Sequence, residues 1–246
     1  MQFSGVCQRL RSHVEQRGFF GTVRWIVKRC YEKACEIRKQ RAPANPIRRQ
    51  IMKRLLKRSR KVRLGGGPGR VANWINVDAF RFRGVDFVCD LRRLRRYIPP
   101  ESLEAIFMSH VLEHFSKKDV RQLLADCHGL LKDGGTLWLA VPCANRLCSV
   151  LKESDDAAAM DKAVGILMGG GLEVSDVHRC AFTAEYATAL LRDASFANIR
   201  PWSEPPPEFQ DIPGGWTASI DGRPMSLNLV CEKRSATDAA GRPRKT

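Results

Sequence analysis

Between Glu36 and Asp78 the chain has no acidic residue. Residues 1–63 carry 19 Lys and Arg against three acids, Glu15, Glu32 and Glu36, whereas residues 64–246 carry 23 of each sign. The whole formal charge of +16 thus lies in the first quarter of the chain, which reads as a basic leading segment attached to a neutral remainder. The nine cysteines include no Cys-x-x-Cys pair. That absence argues against a zinc ribbon, and the odd count against a disulfide scaffold; both fit a reducing compartment. No apolar run is long enough to cross a bilayer. The start, MQFSGVCQRLRSHVEQR, lacks the apolar core of a secretory signal, and it is too poor in serine for a transit peptide. A cytoplasmic protein is expected. With 246 residues and 43% hydrophobic content, the chain is long enough for one α/β domain and short for two.

What is present after residue 61 alternates between short apolar runs and amphipathic stretches. VRL (62–64), WINV (74–77), DFVC (86–89), AIFMS (105–109), GTLWLAV (135–141) and MSLNLVCEK (225–233) read as strands. KKDVRQLLADCHGLL (117–131) places Val120, Leu123, Leu124, Cys127, Leu130 and Leu131 on one helical side, with Asp133-Gly134-Gly135 as its stop. Thr183 is placed to cap a helix running to Ala194. Such alternation predicts an α/β fold: a Rossmann-like, doubly wound, mostly parallel sheet covered on both faces.

The stretch KVRLGGGPGRVANWINVD (61–78) runs from a strand into glycines and reaches a second strand ending on an acid, Asp78. Glycines beyond a strand leave N–H groups unobstructed and let a ligand approach the backbone. The pattern GxGxxG/A can be laid over Gly67, Gly69 and Ala72, but a dinucleotide site needs an acid about 20 residues further on, and Asp78 comes too early. No Gly-Lys-Ser/Thr follows, which excludes a P-loop. Only eight residues separate Gly69 from Asp78, so a crossover helix there is cut to a turn.

LGGGPGRVANWINVDAF, DFVCDLRRL, AIFMSHVLEHF, LLKDGGTLWLAVP and SLNLVCEK occur in that order. Together they resemble the motifs of class I methyltransferases that depend on S-adenosylmethionine (SAM), in the type 11-like group whose sequences run LGCGPG…GWINVD…DL…SSHVLEH…LKPGG. The resemblance covers residues 61–233 and implies SAM as cofactor and an antiparallel last strand. By it, Gly65, Gly67 and Gly69 lie under the methionine part of SAM, and Asp78 accepts hydrogen bonds from the ribose hydroxyls. Asp90 and the Leu91 N–H read the adenine edge; Ser109 and His110 border the methyl donor. The group is linked to polysaccharide and other envelope biosynthesis, so a small-molecule, sugar or lipid-linked glycan acceptor is expected. Val141-Pro142-Cys143-Ala144 stands where amino-methylating enzymes carry N/D-PP-Y/F, which leans toward an oxygen or carbon nucleophile. A methyltransferase-like scaffold without catalysis is the alternative.

His110-Val111-Leu112-Glu113-His114 also fits HxxEH, the inverted zinc-protease pattern. AIFMS just before it reads as a strand, which puts His110 at a strand end rather than on a helix, and no metal is expected. His110 and Glu113 are the candidate catalytic residues. His178, after the glycines at 169–171, is a further candidate base. PWSEPPPEFQDIPGGW (201–216) reads either as a lid or as an ordered surface loop.

The expected organisation is a basic amphipathic segment (1–60), the catalytic domain (61–234) and a disordered tail (235–246). In the basic segment, Phe19, Val23, Ile26, Cys30, Ala34 and Ile37 line one side of a helix over 19–38. A second basic run (47–61) has a narrow stripe of Ile47, Ile51 and Leu55. Residues 19–61 suit an anionic membrane surface at the inner face. Gripping RNA, as an RNA methyltransferase would, is the less favoured reading, since no aromatics interleave with residues 47–63. A helical appendage packed on its own domain is the third.

Overall fold

A computed structural model of the chain describes residues 45–170, 176–209 and 217–234. The expected helix over 19–38 and the expected tail lie outside the described residues. Those described belong to one compact unit beginning at Asn45.

The reason is helix α1 (Pro46–Arg58). Asn45 caps it, its Oδ1 accepting from the Ile47 and Arg48 N–H groups, and Pro46 occupies the first turn, where a missing N–H costs nothing. Met52 is wholly buried. The Arg48 guanidinium lies 4.8 Å from the centre of the Phe87 ring and 5.2 Å from that of Tyr97, and donates to the Val88 carbonyl. Arg49 Nε donates to the Arg96 carbonyl at 3.0 Å. The expected stripe is not the packed face: Ile47 and Ile51 are 71% and 42% exposed. Two of the run's positive charges are spent on the domain itself.

Seven strands form the main sheet: β1 (Lys61–Leu64), β2 (Ile75–Asp78), β3 (Phe87–Val88), β4 (Leu103–Ser109), β5 (Leu131–Pro142), β6 (Phe196–Pro201) and β9 (Ser226–Lys233). A separate hairpin pairs β7 (Ser219–Ile220) with β8 (Arg223–Pro224). The order in the main sheet is β3-β2-β1-β4-β5-β9-β6. The chain from β1 to β5 pairs in parallel, while β9 enters antiparallel between β5 and β6. The order reverses between β1 and β4, and in such sheets the crevice beyond the carboxyl ends of those two strands is where ligands bind.

Helix α2 (Lys117–Leu130) buries Val120, Leu123, Leu124, Cys127 and Leu130. It ends earlier than Asp133-Gly134-Gly135 suggests. Leu131 is already extended and pairs with Leu103, and β5 runs on through the glycines with Gly134 at φ +71°. Helices α3 (Ala144–Glu153) and α4 (Ala157–Met168) follow β5. Thr183 caps α5 (Ala184–Asp193), its Oγ1 accepting from the Tyr186 N–H.

The β1–β2 crossover has no helix, only a turn closed by the Trp74 N–H on the Val71 carbonyl. Aromatics cover the sheet face left bare. Trp74, Phe107, Trp202 and Phe209 are buried together, with Phe209 stacked on Phe107 at 4.1 Å. Trp202 Nε1 donates to the Leu139 and Leu229 carbonyls, and Glu208 pairs with Lys61 at 2.7 Å. The described part of the proline-rich stretch (201–209) is therefore an anchored surface segment: Trp202, Pro205, Pro206 and Phe209 are buried, while Pro201, Ser203, Glu204 and Pro207 are exposed.

Candidate active site

The first wall of the crevice is the loop after β1. Gly65 and Gly67 have φ of +62° and +59°, and a Cβ on Gly65 would lie 2.5 Å from Val111 Cγ2. A Cβ on Gly67 or Gly69 would meet nothing within 4 Å, so both edge open space. Asp78, at the end of β2 and 6% exposed, ties this loop down. Its Oδ2 accepts from the Gly67 N–H and its Oδ1 from the Phe80 N–H, each at 2.8 Å. Each oxygen keeps a second lone pair for a ligand hydroxyl.

Asn76, which sequence reasoning passed over, is the clamp beneath. Its amide nitrogen donates to the carbonyls of Gly67, Gly69 and Gly84 at 3.0, 3.1 and 3.3 Å. Gly84 is required at φ +93°, since a Cβ there would sit 2.8 Å from the Gly69 carbonyl carbon. Arg63 was missed too: burial pulls its guanidinium pKa down, and Asp78 nearby opposes that. A charged residue inside a short strand and a polar one inside INVD were the available signals.

Asp90 caps a 3-10 helix (Leu91–Arg96), and Arg92 takes hold of it. Arg92 N and Nε donate to Oδ1, and Nη2 donates to Oδ2 at 2.9 Å. Burial alone would raise the Asp90 pKa; these bonds outweigh it and hold the carboxyl below its ordinary range.

The opposite wall is built at the end of β4. His110 sits at φ +54°, uncommon for a residue with a Cβ, its N–H held by the Ala140 carbonyl. Its Nδ1 lies 3.1 Å from Glu113 Oε1 and its Nε2 3.0 Å from Ser226 Oγ, at the start of β9. Ser226, 116 residues away in sequence, had no signal linking it to His110. Glu113 is 1% exposed within a 3-10 turn (Leu112–His114). The Glu113 carbonyl accepts from the N–H groups of Arg179 and Cys180, which brings His178 close. Ser109 Oγ, Glu113 Oε2, His114 Nδ1 and His178 Nδ1 are all buried without a protein partner.

Between these walls lies a cavity of about 510 Å³, a volume suited to a nucleoside-sized ligand. Gly65, Asp78, Asp90, Leu91 and His110 line it together; Gly67, Gly69, Ser109 and Glu113 stand outside its lining.

Residues 79–139 match the family model of a methyltransferase domain. The sheet that carries this segment is mostly parallel with one antiparallel strand. Among curated proteins, the isoleucine–tRNA ligase of Chlamydia trachomatis is 34% identical over 108 residues, which is 41% of this chain. The chain spans about a tenth of that relative's length, 10% by coverage. Similar solved structures include a SAM-dependent methyltransferase from Archaeoglobus fulgidus, with 16% identity, 76% of this chain and 94% of the other covered, and TM-score 0.46. An O-methyltransferase family protein from Burkholderia thailandensis has 15% identity, covers 78% and 56%, and has TM-score 0.43.

The crevice has the features of a site for a ribose-bearing ligand. Open space at Gly67 and Gly69 admits a ligand against the backbone, and the spare lone pairs of Asp78 suit a vicinal diol. Among the described residues no helix is long and apolar enough to cross a membrane.

Proposed function

We propose that the methyltransferase domain methylates a hydroxyl oxygen of a sugar or lipid-linked glycan, with His110 taking the hydroxyl proton. The observation that carries this reading is the His110 ring at the cavity wall, held between Glu113 and Ser226. Glu113 accepts from Nδ1–H, and the Nε2 lone pair, which accepts from the Ser226 hydroxyl, becomes the base once the acceptor hydroxyl takes the place of Ser226. A hydroxyl nucleophile needs such a base because it carries a proton. SAM supplies an electrophilic methyl group on a sulfonium. Gly65, Gly67, Gly69 and Asp78 bind it, Asp90 and Leu91 hold the adenine end, Ser109 borders the methyl group, and Glu113 orients His110. Alignment of the acceptor oxygen with that methyl does the rest.

A lipid-linked acceptor and residence at the inner membrane face, with residues 19–61 on the anionic surface, are part of the same reading. Support within the described residues comes from α1, where exposed Ile47 and Ile51 neighbour Lys53, Arg54, Lys57 and Arg58. The test is calorimetric titration with SAM, S-adenosylhomocysteine and NAD, then transfer of labelled methyl groups to glycan, lipid-linked glycan and RNA fractions. Label entering glycan in wild type but not in His110→Gln supports the reading. Label entering RNA, with binding that weakens in salt and vanishes on deleting residues 1–44, sinks it.

A further inference from the structure

We propose that Glu113, His114 and His178 bind one divalent transition-metal ion of the zinc type at the inner wall of the crevice. Among the described residues, these three bring ligand atoms within 4.8 Å of one another. Each holds an atom with no other occupation: Glu113 Oε2, His114 Nδ1 and His178 Nδ1 are buried and unpaired. Unpaired buried polar atoms are rare in folded proteins, and three of them on residues whose ligand atoms lie within 4.8 Å of one another call for a common partner. Two imidazole nitrogens and a carboxylate oxygen are a donor set that zinc-like cations take, leaving a further position open.

The surroundings orient the ligands as metal sites require. Glu113 Oε1 is held by His110 Nδ1, which turns Oε2 away from it. The Arg179 and Cys180 N–H bonds to the Glu113 carbonyl fix the His178 backbone beside Glu113 without help from an ion. The rings of His114 and His178 stand edge to face, centres 4.8 Å apart. Tetrahedral coordination wants donors about 3.4 Å apart, so an ion draws the three inward by side-chain rotation. His114 also lines the cavity, so the open coordination position faces it.

This trio is not the HxxEH set. His110 is engaged by Glu113 and Ser226, and its place as second imidazole is taken by His178, 64 residues after His114 in the sequence.

The full chain, stripped with a chelator, is titrated with Co²⁺ and Zn²⁺, followed by calorimetry and visible absorption. The expected result is one ion per chain, with ligand-field bands of nitrogen and oxygen coordination and no thiolate charge-transfer band. His178→Gln is expected to weaken Co²⁺ binding roughly 10- to 100-fold while leaving SAM affinity unchanged. Glu113→Gln is expected to weaken it as well. Binding absent in wild type, binding that shows thiolate bands, or binding indifferent to His178→Gln overturns the proposal. Intact SAM binding in the same preparation separates such a failure from a misfolded sample or a wrong cofactor.

Discussion

The two walls of the crevice satisfy their polar groups to different degrees. On the glycine side, the Asp78 carboxylate accepts two backbone N–H groups and the Asn76 amide nitrogen reaches three carbonyls. That wall leaves one buried atom, Asn76 Oδ1, without a partner. On the β4 side, the Ser109 hydroxyl, one Glu113 oxygen and two imidazole nitrogens are buried with nothing to bond. Rigid placement suits a cofactor that every turnover presents in the same shape. Unfilled donors and acceptors suit groups that come and go, and an unpaired buried polar atom remains a standing cost until one does. On the proposed function, cofactor recognition falls to one wall and reactive chemistry to the other.

The strongest way to break this division is at the glycine wall. Gly67→Arg puts a long side chain on the loop that Asp78 ties down, and Asp78→Ala removes the proposed ribose acceptor. Each is expected to weaken SAM binding roughly a hundredfold or more, from about 1.5–3 kcal/mol per hydrogen bond to a charged group. Native circular dichroism with no heat of binding is the expected pair of readings; normal binding in both variants would put the cofactor elsewhere. Next comes His110→Gln, expected to slow methyl transfer about 10²- to 10⁴-fold with SAM affinity intact. Should SAM affinity fall in step with rate, His110 would belong to the cofactor wall and the division would fail.

Smaller effects sharpen the picture. Asn76→Ala deprives three loop carbonyls of their donor, for a loss of about 1–3 kcal/mol in chemical denaturation and about tenfold in SAM affinity. Unchanged stability would mean the loop holds itself. The least effect is Asp90→Asn, read as melting temperature against pH. Because Arg92 holds the folded carboxyl below its ordinary range, the stabilisation is present above the ordinary carboxylate pKa and is lost as pH falls through the lower folded one. The gap between wild type and variant is therefore widest near neutrality and closes in acid. A gap constant across pH would leave only the helix cap.

Sequence made the first wall legible because its chemistry is local. Gly65, Gly67 and Asp78 lie within one short stretch, where positive φ and a terminal carboxylate leave their mark on residue choice. Strand positions were readable for the same reason, as apolar alternation; their ends were less so, since β5 starts at Leu131 only because Leu103 is there to pair with it. The second wall depends on contacts that no spacing announces. Ser226 reaches His110 across most of the domain, and His178 meets Glu113 through backbone bonds at the next two residues. Asn76 passed as an ordinary residue of the strand WINV, although its buried amide on the sheet is what fastens the loop. The exposed Ile47 and Ile51 show how an apolar stripe misleads when the packing is done by Met52 and by arginine stems on aromatic rings.

The position of β9 has a consequence for how the enzyme is made. It comes late in the chain, yet it lies inside the sheet, with β5 on one side and β6 on the other. During synthesis β5 must wait as a raw edge, and β6 has no partner in the sheet, until residues 226–233 leave the ribosome. Ser226 opens that strand and supplies the second support of the His110 ring. The nascent chain thus has its glycine wall well before the His110 ring is held at both nitrogens, and the strand made last is the one that completes that support.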